Sequence, residues 1–303
     1  MPDPLAPWHV DEAAFPVGGP PADRLRSALR YAILAPSGHN AQPWLFRVRE
    51  GSCELHADRT RALPVVDPDD RELTIGCGAA LFHLLTALRH FGDAPRSELL
   101  PEPGNPDLLA RVELVGGPGA TGEDHRLFRA ITGRRTVRAP FEDRPVEAAL
   151  LGVLREAAAA EGAWLRTATN EGTKAALAGL VAQGDVRQMH DRSFRRELAA
   201  WVHANRSGSA DGMPGYAFGF EDLASYVGPV VLRTFDLGGG QAAKDRELAA
   251  RSPVLAVLGT DGDRPADWLR AGLALARVLL RARAEGVAAS FLNQPIEVAE
   301  LRP

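Results

Sequence analysis

Two stretches of this chain read as long helices of nearly the same make-up, and any fold must accommodate both. Leu73 to Phe91 and Trp268 to Glu285 are rich in alanine and leucine, and each is stopped by a glycine, Gly92 and Gly286. In the first, Ile75, Ala79, Phe82, Leu85 and Leu88 recur at helical spacing and make an apolar face, which Gly78-Ala79-Ala80 renders thin. Gly78-Ala79-Ala80-Leu81 can be laid over Gly272-Leu273-Ala274-Leu275, an internal echo that points to duplication.

Around these helices the sequence alternates helix and short strand. A proline-rich arm (Met1 to Pro21) leads into a helix over Asp23 to Leu34, capped near Asp23. Strands follow at Leu45 to Arg49 and Cys53 to Ala57 across a Gly51-Ser52 turn, and Asp67-Pro68-Asp69-Asp70 places acids where a helix dipole favours them. Next come a strand at Arg111 to Val115, helices at Glu123 to Ile131 and Val146 to Glu161, and a strand at Ala163 to Ala168. Helices at Glu171 to Met189 and Phe194 to His203, then a buried strand at Pro253 to Gly259, complete the expectation. Asn205 to Phe220 interleaves four glycines with Met213, Tyr216, Phe218 and Phe220, which suits either a mobile flap or an ordinary surface loop.

Composition excludes several functions. The net charge of -4 argues against nucleic-acid binding, and no apolar run is long enough to span a membrane. Cys53 and Cys77 are the only cysteines, so no disulfide framework is implied; with no basic-then-apolar leader, a cytoplasmic protein is expected. No Cys/His/Asp constellation accompanies His83 and His90, so no metal site is expected, and no Gly-x-Ser-x-Gly elbow recommends a serine nucleophile. Gly117-Pro118-Gly119-Ala120-Thr121-Gly122 matches the dinucleotide fingerprint, but the second strand that a Rossmann unit needs is absent, leaving a flexible linker as the better account.

Two short stretches concentrate chemistry. Ala35-Pro36-Ser37-Gly38-His39-Asn40-Ala41-Gln42-Pro43-Trp44 is a helix-to-strand turn with more polar side chains than a turn requires. Pro36 ends the helix, Gly38 allows close backbone approach, and Asn40 and Gln42 carry amides that donate and accept. A well-capped loop with a core tryptophan would explain it equally well. Arg134-Arg135-Thr136-Val137-Arg138 sets three guanidinium groups within one turn, as a phosphate site would, or as a solvated basic turn.

Pro36-Ser37-x-x-Asn40-x-Gln42-Pro43-Trp44 resembles the signature loop of the flavin-dependent nitroreductase superfamily, and Arg134-Arg135-Thr136-Val137-Arg138 resembles its phosphate-gripping run. In ordinary members the basic run precedes the loop. Here it follows, which resembles the Acg-type branch, where two nitroreductase-like halves share one chain. The resemblance implies an α+β fold with halves at 1–120 and 121–303 forming a pseudo-dimer, the two long helices packed at its axis. It implies FMN as cofactor, with NAD(P)H stacking on the flavin as reductant. Arg134, Thr136 and Arg138 would hold the phosphate and ribityl chain, with Arg135 acting mainly through its backbone. Pro36, Ser37, Gly38, Asn40 and Gln42 would approach the flavin from the other half, His39 would face the substrate, and Leu292 and Asn293 would lie near the flavin N5 edge.

Two features depart from the superfamily pattern: its usual Pro-Ile-Glu-Gly reads Phe291-Leu292-Asn293-Gln294, and the chain stops at Leu301-Arg302-Pro303 without a further basic strand. Each half carries only one of the two motifs, so one composite flavin site per chain is expected, and a monomer suffices to build it. The leading function is FMN-dependent oxidoreduction of a small organic substrate, by hydride transfer through flavin N5. The rival is a non-catalytic flavin-sequestering protein, and a substrate dehydrogenation with oxygen as acceptor would use the same site. A clamped lid would favour storage; an open face beside His39 and Phe218 would favour catalysis.

Overall fold

The two long helices do meet, and their glycines are the reason. In the computed structural model, which describes residues 5–116 and 119–302, they are α2 (Arg71–His90) and α10 (Pro265–Ala284), and they form the most extensive helix pair in the molecule. A Cβ on Gly78 would strike the Leu269 carbonyl oxygen, and one on Gly272 would strike that of Ile75. Only glycine permits backbones to approach so closely. The thin patch seen in the sequence is therefore a crossing point.

The largest apolar core forms around α2, from α1 (Pro21–Ala32), α3 (Gly122–Ile131), α10 and a four-stranded antiparallel sheet. The sheet has the order β1-β2-β4-β3, from β1 (Trp44–Val48), β2 (Ser52–Ala57), β3 (Ala94–Leu99) and β4 (Leu108–Val115). Phe82, Leu81, Leu84 and Leu88 of α2 are fully buried there, beside Leu25, Ile131 and Leu280. This core draws on residues from both sides of position 120, since Leu127, Phe128 and Ile131 of α3 belong to it.

Beyond α3 the chain forms α4 (Ala148–Ala159), β5 (Trp164–Ala168), α5 (Glu171–His190) and α6 (Arg192–Ala200). A parallel pair then joins β6 (Val202–His203) to β7 (Met213–Pro214), followed by α7 (Asp222–Ser225), α8 (Gly228–Thr234) and α9 (Gly238–Arg251). β8 (Leu255–Gly259) pairs antiparallel with β5, and a short α11 (Gln294–Glu297) packs on α5. The mixture of helices and antiparallel strands is an α+β fold.

Several expected elements shift. α1 begins at Pro21, a residue suited to the first helical position, and Asp23 lies in its first turn. The helix expected over Phe194 to His203 is α6, started by Asp191 accepting from the Ser193 N–H and finished before Val202 turns into a strand. β8 was expected to be buried; Ala256 and Val257, which point to opposite faces, are both exposed, because neither face of this two-stranded ribbon is fully covered. β3 and α7 to α9 are additions. Of the glycine-rich stretch, Gly117 and Pro118 lie outside the described residues, as do Met1 to Pro4 of the arm and Pro303. Thr121 of that stretch is the cap of α3, in a reciprocal capping box with Asp124.

Candidate functional site

The loop after α1 is bent against its own preferences. His39, Asn40 and Gln42 all have positive φ, at 48°, 54° and 55°. Non-glycine residues rarely take that conformation, and three within four positions persist only where the surroundings hold them. The Ser37 Oγ accepts from the Gln42 N–H at 2.9 Å and closes the loop on itself. Arg61 donates to the Ala41 carbonyl at 2.7 Å, and the Cys77 thiol of α2 reaches the Pro43 carbonyl at 3.2 Å. A Cβ on Gly76 would lie 3.3 Å from the Ser37 Cβ, so this glycine lets the loop rest on α2.

The amides of this loop reach across to the glycine-rich segment. Asn40 Nδ2 donates to the carbonyls of Ala210 and Gly212, at 3.3 and 3.0 Å, and Gln42 Nε2 to Ala210 at 2.7 Å. The Gly212 N–H returns a bond to the Asn40 carbonyl at 3.1 Å, and Arg61 pairs with Asp211 at 2.9 Å. The segment expected as either a mobile flap or an ordinary surface loop is thus tied to the loop at Ala210 and Gly212 and to Arg61 at Asp211.

The basic run reaches the root of the loop. Arg134 is buried at 7% exposure, donates to the Leu34 carbonyl at 3.2 Å, and leaves its Nε without a partner. Burial, with help from neighbouring Arg135, pushes its pKa down to about 10. Arg135 stacks on the Trp8 ring at 3.4 Å while its Nη1 donates to the Thr132 and Arg134 carbonyls. Burial also lowers the pKa of Arg138, which touches Met213 Sδ at 3.8 Å. Among the described residues, no carboxylate comes within 4 Å of Arg134, Arg135 or Arg138. Thr136 bridges to Ala289, and the Val137 N–H donates to the Ala289 carbonyl at 3.0 Å, which fastens the Gly286-to-Gln294 segment alongside.

One cavity of about 2270 Å³ gathers these groups. Pro36, Ser37, Gly38, His39, Asn40 and Gln42 line one part of it, and Arg134, Arg135, Thr136 and Arg138 another. Leu292, Asn293 and Phe218 line it as well. His39 is half-buried with its Nε2 closed off and unpartnered, and desolvation together with Arg138 lowers its pKa to about 4. It is therefore a neutral imidazole at pH 7, able to offer one hydrogen bond to a guest.

Other lining groups escaped the sequence. Trp8 covers Arg135 from the arm. Glu72, Asp185, Asp245 and Glu297 make an acidic wall, each with its pKa raised, chiefly by burial, to about 7 for Asp185 and Glu297. They lie on four separate helices, so no local signal could have joined them. Among the described residues, no cluster of three or more potential ligands could hold a metal ion, and no helix is long and apolar enough to cross a membrane.

A buried guanidinium without a counter-charge is costly unless something anionic completes it. The basic run fits a ligand carrying a phosphate: Arg134, Arg135, Thr136 and Arg138 line one cavity, and among the described residues no carboxylate lies within 4 Å of the three guanidinium groups. Residues 131–302 match the family described as the Nitroreductase family, beginning just before Arg134. "Putative NAD(P)H nitroreductase Rv3131" of Mycobacterium tuberculosis is 33% identical over 291 residues, covering 96% of this chain and 82% of its own. "Putative NAD(P)H nitroreductase acg" of the same organism is 30% identical over 277 residues, covering 91% and 82% respectively.

Proposed function

The chain belongs to the nitroreductase family and is an oxidoreductase of that type, and from this premise we propose that it works with one FMN per chain and NAD(P)H as reductant. The observation that carries the proposal is the buried Arg134, with exposed Arg135 and Arg138 beside it, at a cavity also lined by the loop. Arg134, with the Thr136 hydroxyl, would hold the phosphate, and Arg138 the ribityl chain. Arg135, fixed by Trp8, would shape the backbone around them. Pro36, Ser37, Gly38 and Asn40 would face the flavin from the loop, and Leu292 and Asn293 would border it. When bound, the flavin supplies the chemistry, taking a hydride at N5 from NAD(P)H and passing it to an electron-poor or unsaturated substrate.

The chain's own residues orient that exchange. His39, neutral and with a free ring nitrogen, can hydrogen-bond to the substrate without adding charge. The loop and the segment tied to it wall the chamber from water. A cavity of about 2270 Å³ exceeds the roughly 1000 Å³ at the upper end for one small ligand, leaving room for a second molecule beside a cofactor. That room favours catalysis. The hydrogen bonds from Asn40 and Gln42 to 210–212 favour the second reading, a flavin-sequestering protein with a clamped lid. The crossing of α2 and α10 at Gly78 and Gly272 supports two tandem halves related about that axis, with one composite site per monomer.

Anaerobic addition of NADPH to the FMN-loaded protein tests the proposal. Bleaching of the flavin band, restored by a quinone or nitro compound, is the expected result. A bound flavin that NADPH never bleaches would turn the assignment to sequestration. Failure to bind FMN at all would remove the cofactor claim.

A further inference from the structure

The cavity has two kinds of lining. Its phenylalanine, tyrosine and tryptophan rings come from the arm, the loops and α6, and Phe194 of α6 meets the His39 ring edge-on at 6.5 Å. On α4, β5, β8 and α10, by contrast, every lining residue is alanine, valine or leucine, with Thr167 of β5 the one exception.

These aliphatic residues form a continuous surface. Leu150 and Leu154 recur at helical spacing on α4, as do Leu275 and Leu279 on α10, and all four line the cavity. Leu165 and Leu258 are cross-strand partners in the β5–β8 ribbon and so share a face. Leu154, Leu165 and Val278 are buried together in one small apolar cluster, on which Leu150 and Leu258 pack. The cavity face of α5 extends this lining and then changes character. It carries Leu177, Leu180 and Val181 in its first half, then Asp185 and Gln188, which bond to Gln294 and Glu297 of α11. Its polar end therefore meets the segment of Leu292 and Asn293, and its aliphatic end lies farther along the helix.

Leucines at such spacing are ordinarily covered by a neighbouring element. Leu150, Leu177, Leu180, Leu248 and Leu275 all line the cavity and are only half-buried. Open apolar surface inside a protein holds water poorly and takes up apolar guests. The four aliphatic elements offer a guest no ring to stack on, no charge, and no polar side chain besides Thr167. Such a surface suits a flexible saturated chain better than a second ring or a polar group.

We infer that the aliphatic section is a subsite for a hydrocarbon chain carried by the substrate, whose reducible ring lies at the end lined by the loop and the basic run. The inference rests on the proposed oxidoreductase function in one respect, that reduction takes place at that end. It narrows the substrate to an amphipathic compound, an electron-poor ring with an aliphatic tail.

The test is calorimetric titration of the full chain, with and without added FMN, using the ethyl, butyl and hexyl esters of 4-nitrobenzoic acid. 1-Hexanol, which has the chain and no ring, is titrated beside them. Affinity is expected to rise about three- to fourfold per methylene, roughly a hundredfold from ethyl to hexyl. The hexyl ester is expected to bind about tenfold tighter or more than 1-hexanol, since the ring adds its own apolar contact. Leu180→Gln is expected to cut the rise to under about twofold per methylene, by placing a polar group against the chain. Leu177→Phe keeps the surface apolar but fills the space; it is expected to flatten the series too, and it decides should the first variant fail to fold. A flat series in the unaltered protein, or a full rise retained in a folded variant, would overturn the subsite. 1-Hexanol binding as tightly as the hexyl ester would mean a free lipid and would overturn the assignment to substrate. FMN binding with a flat series would sink the subsite alone. A rising series without FMN binding would keep the subsite and sink the flavin assignment.

Discussion

The two charged walls of the cavity are built in opposite ways. The basic wall comes from five consecutive residues after α3, braced by Trp8 and by Ala289. The acidic wall is assembled from α2, α5, α9 and α11, one carboxyl from each. Each wall has a charged group withdrawn from water with no opposite charge within 4 Å, Arg134 in one and Asp185 in the other, which lowers the stability of the fold itself, while Arg135 and Arg138 stay exposed. Such groups persist where a ligand completes them, so unpaired buried charge marks a binding surface more sharply than cavity volume does.

The largest expected effect separates the walls by ligand. Arg134→Met keeps the packing and removes the cation, and we expect FMN affinity to fall about a hundredfold, the worth of a buried charge-assisted contact. The melting temperature of the ligand-free protein should hold or rise, because an unpaired guanidinium is gone. A melting temperature that drops sharply would mean the arginine is structural.

The acidic wall gives the next effect, read by stability against pH. Asp185 has its pKa raised to about 7, so the folded chain binds more protons than the unfolded chain between about 4 and 7. Stability from this group is therefore lost as pH rises through that window. Asp185→Asn should stabilise the protein by about 4 kcal/mol at pH 8 and by under about 1 kcal/mol at pH 4, measured by urea unfolding. A loss of stability at pH 8 would show that the carboxylate has a partner in solution.

His39 titrates with the opposite sign. Its pKa is lowered to about 4, so the unfolded chain takes up the extra proton first as pH falls from about 6.5. That contribution is complete above about 6.5 and is lost as pH falls toward 4. His39→Gln should flatten this part of the stability curve, and an unchanged curve would place the ring in water. The smallest effect belongs to Trp8: replacing it by leucine removes the stack on Arg135 and should weaken FMN about threefold.

What the sequence could reveal follows the same contrast. The loop and the basic run are contiguous, so each stands out in the sequence; composition leaves a capped loop or a solvated turn open, the resemblance makes them site candidates, and both line one cavity. The glycine and leucine echo points only to duplication, and the resemblance implies that the two helices pack together; the structure adds that Gly78 and Gly272 are where α2 and α10 cross. β3 was missed because Pro95, Arg96 and Glu98 lack strand character, and an edge position tolerates them. α9 opens on Gly238-Gly239-Gly240, which reads as a loop; it is a helix because α5 packs along it. Asp185, Asp245 and Glu297 meet only through that packing, and nothing local in the sequence marks their encounter.

The central claim is that the basic wall is a phosphate site for one flavin. Equilibrium titration of the purified chain with FMN and with riboflavin, which lacks the phosphate, tests it most directly. We expect one FMN per chain, bound about a hundredfold tighter than riboflavin. Two flavins per chain, or equal affinity for FMN and riboflavin, would contradict it.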